Sequence, residues 1–385
     1  MIRKKILSTV LVTLTTVSLL LTGCGQASKT NGAAKSATIN IYAGGSDNVR
    51  TTWESVISAF DAKNPNIKVK LQFIPSGTGA QSAIDKEIAA EKAGQKQTDM
   101  DIIEASDDDI SRLFKEAGKN TLTTLTSKDI PNISNIKFKS SSGGDKAMVF
   151  RGTTVVLAYN SDKVKNVPKT DKELYSWIKA HPGRFAYNDP TTGGAGESFL
   201  VTAVYNSLPK EAIMSDDTKW EAQWTEGFNL LKELHPYMYK ASGKVQYPVK
   251  NQGTLDLLAN GQVDIIPAWA DMTLDALDKG TLPKSVKIAQ IQPELNGGGE
   301  DLVIPSKSKN KEAAEKFLDF VASADGQGIF VSKMKAIPVI DEAKLPKASI
   351  KVLQGLQISK FRAYSIGDLS KDLNKKWQDE IATLN

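Results

Sequence analysis

The chain has 385 residues, 40% of them hydrophobic and 24% charged, a composition that is typical of globular proteins and excludes collagen-like, coiled-coil and disordered chains. At roughly 150 residues per domain, the length predicts about two domains. Lysine and arginine number 49 against 44 aspartates and glutamates, and this net charge of +5 is too small and too dispersed to predict a nucleic-acid partner. One cysteine and two histidines predict no internal disulfide and no histidine-rich metal site, so no metal and no cofactor are expected.

The N-terminus carries the pattern of an export signal. Basic residues at positions 3–5 precede an uncharged, largely apolar stretch at 6–21, which is short for a membrane-spanning helix and typical of a signal peptide. It ends in Leu-Thr-Gly-Cys, which resembles a bacterial lipobox and implies cleavage before Cys24 and lipidation of its thiol. A plain secretory signal with a chance cysteine is the alternative. We expect residues 1–23 to be removed and 24–37 to form a flexible tether, with the protein anchored on the extracytoplasmic face of the cell membrane.

The first part of the folded chain repeats strand, turn and helix three times. Alternating apolar residues predict the strands, and apolar residues at helical spacing predict the helices. This repetition predicts a parallel sheet of α/β type. In chain order the predicted elements are a strand at 38–42, a helix at 49–60, a strand at 67–74, a helix at 83–88, a strand at 100–103 and a helix at 110–117.

A second α/β pattern follows a long extended run. Its loops are rich in glycine and proline, which end or redirect the elements. The predicted elements are an extended run at 150–159, a helix at 174–178, a strand at 184–187, a loop at 189–196, helices at 199–204 and 255–258, strands at 263–269 and 286–291, an extended segment at 301–304 and a helix at 313–321.

Several of these segments, in this order and spacing, resemble the extracellular solute-binding proteins of ABC importers, in the two-domain architecture of maltose- and polyamine-binding proteins. The resemblance runs from Thr38 to about Ile340. The segments that carry it are 42–53, Leu157-Ala158-Tyr159-Asn160, Val167-Pro168-Lys169-Thr170, Asp264-Ile265-Ile266-Pro267-Ala268-Trp269, 313–320, Gly326-Gln327 and Ile337-Pro338-Val339.

The resemblance implies an α/β fold of two discontinuous lobes, each with a central mixed, mostly parallel sheet flanked by helices and joined to the other by a hinge. It implies a binding protein that captures a small polar solute between the lobes by hinge closure and delivers it to an ABC permease with its ATPase; a monomer is expected. The implied boundaries are 38–155 with 300–322 for lobe 1, 156–299 with 323–385 for lobe 2, and crossings near Thr154, Ile304 and Ala322.

The candidate site consists of the loops that follow strand ends, because backbone N–H groups at helix N-termini converge there in open α/β sheets. Trp269 offers a face on which a ring or a cation can stack, and glycines at 193–194 allow close approach of a ligand to the backbone. A turn, a helix cap, a domain ion pair or core packing is the structural alternative for each position. The predicted ligand-binding residues are Gly45, Ser46, Asp47, Ser76, Gly77, Thr78, Ser106, Asp107, Arg151, Thr153, Thr192, Gly193, Gly194, Trp269 and Asp271.

The charge of the solute stays open at this point. Asp47, Asp107 and Asp271 with Trp269 suit a cation such as a polyamine or a thiamine-like compound, whereas Arg151 and helix N-termini suit an anion. No catalytic residue is predicted, because no nucleophile elbow and no acid–base arrangement is recognisable. A ligand sensor that presents its closed form to a membrane receptor is the alternative function, and a secreted carbohydrate-active enzyme is a second one.

Overall fold

A computed structural model of the protein describes residues 36–76, 82–351, 353, 356 and 362–384. The strands are β1 (Ala37–Gly45), β2 (Ile67–Pro75), β3 (Ile102–Ala105), β4 (Met148–Asn160), β5 (Lys240–Ala241), β6 (Lys244–Val245), β7 (Ile265–Trp269), β8 (Val286–Ala289) and β9 (Gly297–Val303). The helices are α1 (Asp47–Lys63), α2 (Ala83–Lys92), α3 (Asp107–Ala117), α4 (Asp171–Ala180), α5 (Gly194–Tyr205), α6 (Thr225–Leu234), α7 (Lys250–Ala259), α8 (Ala270–Asp278), α9 (Lys311–Ala322), α10 (Ala324–Ile329), α11 (Lys347–Lys351) and α12 (Leu369–Glu380).

Seven of the strands form one mixed sheet in the order β2-β1-β3-β9-β4-β7, with β8 paired to β4. The pairs of β1 with β2 and with β3 are parallel, as the repeated strand–turn–helix pattern predicts. The other pairs, β3–β9, β9–β4, β4–β7 and β4–β8, are antiparallel. The α/β fold with a mixed sheet is therefore confirmed, but the expectation of mostly parallel pairing is wrong, because β9 and β4 run against their neighbours.

The first core lies between the β1 side of this sheet and the helices α1 and α9. α1 buries one face, and its Trp53 ring packs against Phe150 and Phe330, with centroids 5.1 Å away in each case. Phe60 packs edge-on to Phe317 of α9 at 5.0 Å. Aromatic burial on this scale is a major stabilising contribution to a domain. The apolar spacing along α1 thus predicts its buried face correctly.

The second core lies around α5, which is buried on nearly every side. Phe199 of α5 packs on Tyr187 at 4.7 Å between ring centroids. The C-terminal helix α12 closes this core, because the Trp377 indole N–H donates a hydrogen bond of 2.9 Å to the Tyr187 hydroxyl. Residues far apart in sequence, 185–238 and 366–381, therefore share one core.

β4 belongs to both cores. Residues 148–154 pair with β9, and Phe150 points into the first core. Residues 155–160 pair with β7 and β8, and Val155 and Leu157 lie in the second core. β4 therefore changes partners between residues 154 and 155, and the crossing expected near Thr154 stays a prediction.

The packing differs from the expected boundaries in two places. Ile304 and Ala322, expected at crossings, both lie inside the first core. Phe330, Met334 and Ala336 also lie in the first core, although the segment from 323 onward was assigned to lobe 2. We therefore propose that lobe 1 extends to about residue 340 and that the second crossing is near 296, where the Val155 N–H bonds the Asn296 carbonyl at 2.9 Å.

Three local predictions also need correction. The strand expected at 184–187 is a single bridge at Phe185, which pairs with Met238 and Ile265. The third strand lies two residues later than expected, at Ile102–Ala105. The extended segment before residue 305 starts already at Gly297, because the glycine run joins the sheet instead of ending as a loop.

Candidate functional site

A cleft of about 460 Å³ lies where the two cores meet; we call it the main cleft. It is lined by the C-terminal ends of β1 and β3, by β4 and by the first turns or cap residues of α1, α2, α3, α5, α7 and α8. Such helix N-termini carry unpaired N–H groups and a partial positive charge. The main cleft therefore combines backbone donors from six helices with side chains from both lobes.

Ten of the predicted site residues line the main cleft. Both lobes contribute to this set, since residues up to 153 come from lobe 1 and residues from 193 onward come from lobe 2. The ten residues are Gly45, Ser46, Ser76, Ser106, Arg151, Thr153, Gly193, Gly194, Trp269 and Asp271.

Three predicted residues have other roles. The carboxylate of Asp47 is exposed and pairs with Arg50 on α1 at 2.6 Å. Asp107 accepts a hydrogen bond of 2.7 Å from the Ser142 N–H and so fixes a loop, and it lines the second cavity described below. The Thr192 hydroxyl donates to the Asp189 carbonyl and accepts from the Lys250 N–H, both at 2.8 Å. The predictions for Gly77, Thr78 and Cys24 fall outside the described residues.

Arg151 is held by acids of its own lobe. Its guanidinium lies 2.7 Å from Glu104 and 4.0 Å from Glu300, and its side chain is 7% exposed. The other oxygen of Glu104 accepts a hydrogen bond of 3.0 Å from the Trp53 indole. The domain ion pair thus engages one side of the guanidinium, while the buried Nε has no hydrogen-bond partner among the described residues, and a ligand anion would compete with Glu104.

Asp271, in the first turn of α8, joins the lobes. It accepts hydrogen bonds from the Asn48 amide at 3.0 Å and from the Thr153 hydroxyl at 3.1 Å. Burial raises the pKa of Asp271, while Arg151 and these donors act in the opposite direction. Two lobe 1 donors therefore fix this lobe 2 carboxylate at the border of the cleft.

Trp269 lies on the lobe 2 side of the main cleft, and Gly194 of α5 packs against its ring. A Cβ atom at Gly194 would lie 2.9 Å from the Trp269 ring, and one at Gly193 would lie 2.5 Å from the Asn251 amide oxygen. Only glycine allows this approach, so the two glycines let the indole and Asn251 pack directly against the backbone of the loop. The half-buried indole keeps surface in the cleft.

The sequence analysis misses four residues that shape this site. Glu104, Glu300 and Asn251 line the main cleft, and Asn48 holds Asp271. Glu104 directly follows a predicted strand, and this position after a strand end is the signal that predicted other residues of the site. Glu300 and Asn251 give no comparable local signal, because their positions depend on how distant segments pair.

A second cavity of about 340 Å³ adjoins the main cleft; we call it the side chamber. Five residues line both cavities, which are therefore neighbours: Ser106, Thr153, Gly194, Trp269 and Glu300.

Two lobes that share a mixed sheet, with an interlobe cleft surrounded by helix N-termini, define the class of two-domain binding proteins. Residues 55–352 match the family described as bacterial extracellular solute-binding protein, and the chain belongs to this family. It is a solute-binding component of the ABC-transporter type, and the expectation from the sequence is confirmed.

The relatives agree with this assignment. A maltooligosaccharide ABC transporter solute-binding lipoprotein of Streptococcus pneumoniae strain R6 is 26% identical over 87% of this chain and 81% of its own length. Among solved structures, an ABC transporter protein of Clostridium perfringens has a TM-score of 0.64 and 15% identity, covering 89% of this chain and 98% of its own. The apo ferric ion-binding protein A of Pasteurella haemolytica has a TM-score of 0.60 and 16% identity, covering 90% and 96%. These structures confirm the fold.

The related proteins are named as solute-binding proteins and not as enzymes. Within the described part of the chain, no helix combines the length and apolarity needed to cross a membrane.

Proposed function

We propose that the protein captures a small polar solute without negative charge in the main cleft, closes around it and delivers it to an ABC permease. The observation that carries this proposal is the charge state of the cleft. Its buried cation, Arg151, is paired with Glu104, and the first turns of α3 and α8 place Asp109 and Asp271 among the lining residues. An anionic solute would therefore have to compete with Glu104 for Arg151, the one cationic side chain among the described lining residues of the cleft.

A hydroxyl-rich solute is the candidate that a further observation favours. Trp269 offers an apolar face beside hydrogen-bonding groups, an arrangement suited to sugar rings. The pneumococcal relative is named for maltooligosaccharides, which supports testing sugars first.

Charge selectivity is tested with compounds that share one scaffold. The melting temperature of the full-length chain in detergent is measured with glucose, maltotriose and glucose 6-phosphate. A bound ligand at a hundred times its dissociation constant adds about 2.7 kcal/mol of stability. We expect stabilisation by a neutral compound and none by the phosphate ester. Stabilisation by glucose 6-phosphate alone would contradict the proposal.

Closure is supported by the way β4 passes from one core to the other and by the Asn48–Asp271 contact between the lobes. We expect small-angle scattering to show a smaller radius of gyration when saturating ligand is added to a ligand-free sample. Identical profiles with and without ligand would contradict closure.

The lipid anchor at Cys24, the extracytoplasmic location and a monomeric state belong to the same proposal. The Leu-Thr-Gly-Cys motif and the relatives named as lipoproteins support the anchor. We expect Cys24→Ala to release the protein from the membrane fraction of producing cells, with Cys24→Ser as a second variant. Retention of both variants in the membrane would contradict lipid anchoring.

A further inference from the structure

The side chamber differs from the main cleft in the charge of its walls. Among its described lining residues, Asp107, Asp108, Glu197, Glu300 and Asp301 are acids. A single basic residue, Lys139, lines it as well, and its side chain is exposed. The described walls are therefore strongly acidic.

One acid of the side chamber carries an unused oxygen. Asp301 is 1% exposed, and its Oδ2 accepts a hydrogen bond of 2.8 Å from the Ser140 hydroxyl. Its Oδ1 has no hydrogen-bond partner within the described parts of the chain. A buried carboxylate oxygen without a partner costs free energy that a bound donor would recover.

The other acids surround the same space from different elements. Asp108 of α3 accepts a bond of 2.6 Å from the Ser365 hydroxyl, and Glu197 of α5 lies 3.4 Å from the Asn374 amide. Tyr364 adds an aromatic wall. The chamber thus joins carboxylates with apolar surface, the surroundings in which proteins hold cations.

The direction of the pKa shifts agrees with this arrangement. Burial raises the pKa of Asp301 to about 7, with Ser140 opposing and Asp107 adding to the rise. Burial also raises the pKa of Glu300, Asp108 and Glu197. Charged carboxylates are therefore disfavoured in the empty chamber and would be favoured beside a cation.

The floor of the chamber leaves room for a ligand. β9 contributes Gly297, Gly298 and Gly299, and a Cβ atom at Gly299 would lie 2.5 Å from a Val149 methyl group. A Cβ atom at Gly298 would meet no heavy atom within 4 Å. Gly298 therefore faces open space, and a longer side chain there can fill the chamber while β9 keeps its backbone.

We infer that the side chamber binds a positively charged group of the solute, an ammonium or amidinium, while the polar remainder lies in the main cleft against Trp269. This inference rests on the proposed function, since it assigns a charged end to the solute captured there. In this arrangement the cationic group contacts Asp301 in the side chamber, and Glu300 lies close to both parts of the solute because it lines both cavities.

The first test uses two probes of nearly equal shape that differ in charge. Choline is permanently cationic, and 3,3-dimethylbutan-1-ol is its uncharged analogue. Thiamine serves as a larger cation. Binding to the full-length chain in detergent is measured by calorimetry for the wild type, Gly298→Leu and Gly298→Ala. We expect the cations to bind the wild type and Gly298→Ala, and Gly298→Leu to weaken them at least tenfold.

The second test removes charge without changing shape. Asp301→Asn should weaken cation binding at least tenfold, whereas Asp372→Asn, an exposed acid on α12, should leave it unchanged. Cation binding should also release protons near pH 7, which is measured by comparing binding heats in phosphate and Tris buffers. Asp301→Asn should release fewer protons, a change that general loss of structure would not produce.

The outcomes separate the two proposals. If glucose or maltotriose binds while both cations fail, the proposed function stands and the cation site is wrong. If the cations bind equally well to the wild type and Gly298→Leu, they bind outside the side chamber, and the inference is again overturned. A cooperative melting transition of each ligand-free variant shows that it is folded.

Discussion

The main cleft and the side chamber adjoin each other, but their buried acids differ in the hydrogen-bond and ion-pair partners that the protein gives them. In the main cleft Glu104 has Arg151 and the Trp53 indole, and Asp271 has Asn48 and Thr153. In the side chamber one oxygen of Asp301 has no partner among the described groups. The comparison teaches that burial alone does not mark a binding site; the cation site proposed above rests on a buried carboxylate oxygen in a cavity wall that no described group of the protein compensates.

The largest effect is expected when the cation that neutralises the buried acid of the main cleft is removed. Arg151→Met leaves Glu104 buried without its cation, and breaking such a pair typically costs about 3–5 kcal/mol. We expect the free energy of unfolding in urea to fall by about that amount. Arg50→Met, which breaks exposed pairs on α1, is the control and should cost less than about 1 kcal/mol. If both variants lost the same free energy of unfolding, the buried ion pair would contribute no more to stability than the exposed pairs.

A smaller effect is expected at the wall between the cavities. Trp269→Ala should weaken the binding of any probe that stabilises the wild type at least tenfold, or about 1.4 kcal/mol, because the indole lines both cavities. Trp177→Ala removes a half-buried indole that stacks on His181 outside the site. Calorimetry should show unchanged affinity for this control. An unchanged affinity in Trp269→Ala would remove the indole from the site.

The contact between the lobes should contribute less. Asn48→Ala deletes the hydrogen bond to Asp271, which is worth about 1 kcal/mol, and should weaken ligand affinity about fivefold by disfavouring the closed form. Asn132→Ala deletes the side-chain amide hydrogen bonds to Asp319 within lobe 1 and keeps the backbone one. This control should lower stability and leave affinity unchanged. Equal affinities of Asn48→Ala and wild type would show that the contact does not influence closure.

The smallest effect concerns Glu87, a buried acid that lines neither the main cleft nor the side chamber. Burial raises the pKa of Glu87 to about 7, with Glu91 and Asp99 adding to the rise and Thr98 and Lys307 opposing it. A raised folded-state pKa lowers stability as pH increases from the unfolded value toward 7. We therefore expect Glu87→Gln to raise the melting temperature by about 2–4 °C at pH 8 and to have little effect at pH 4.

A bound cation should distinguish the pH dependence that comes from Glu87 from the pH dependence that comes from the side-chamber acids. A bound cation should remove the pH dependence that comes from Asp301 and Glu300, while the dependence from Glu87 persists. Exposed Glu312→Gln is the control for charge removal and should change neither profile. A Glu87→Gln variant that gains no stability at pH 8 would contradict the raised pKa.

Local patterns predict much of this molecule. The apolar spacing of α1, the strand before Trp269 and the glycine loop before α5 all depend on neighbours in sequence, and ten predicted residues do line the main cleft. Arg151 was recognised as a candidate, but its partner Glu104 was not, because that pair forms only when β9 joins β3 to β4.

The side chamber could not have been predicted in this way. Its walls come from segments distant in sequence, such as Asp108, Glu197, Asp301 and Tyr364, and each of them alone reads as an ordinary surface acid or aromatic residue. Only tertiary packing shows that their surroundings bury them together. The antiparallel pairing of β4 escaped prediction for the same reason.

The position of β9 in the sheet also governs the order in which the chain can fold. Leu302 pairs with Glu104 on one side and with Met148 on the other, so the sheet of lobe 1 is incomplete until residue 303 has been synthesised. Contacts between such distant segments form slowly, because the intervening loop must close first. A nascent chain therefore lacks a finished lobe 1 through most of its synthesis.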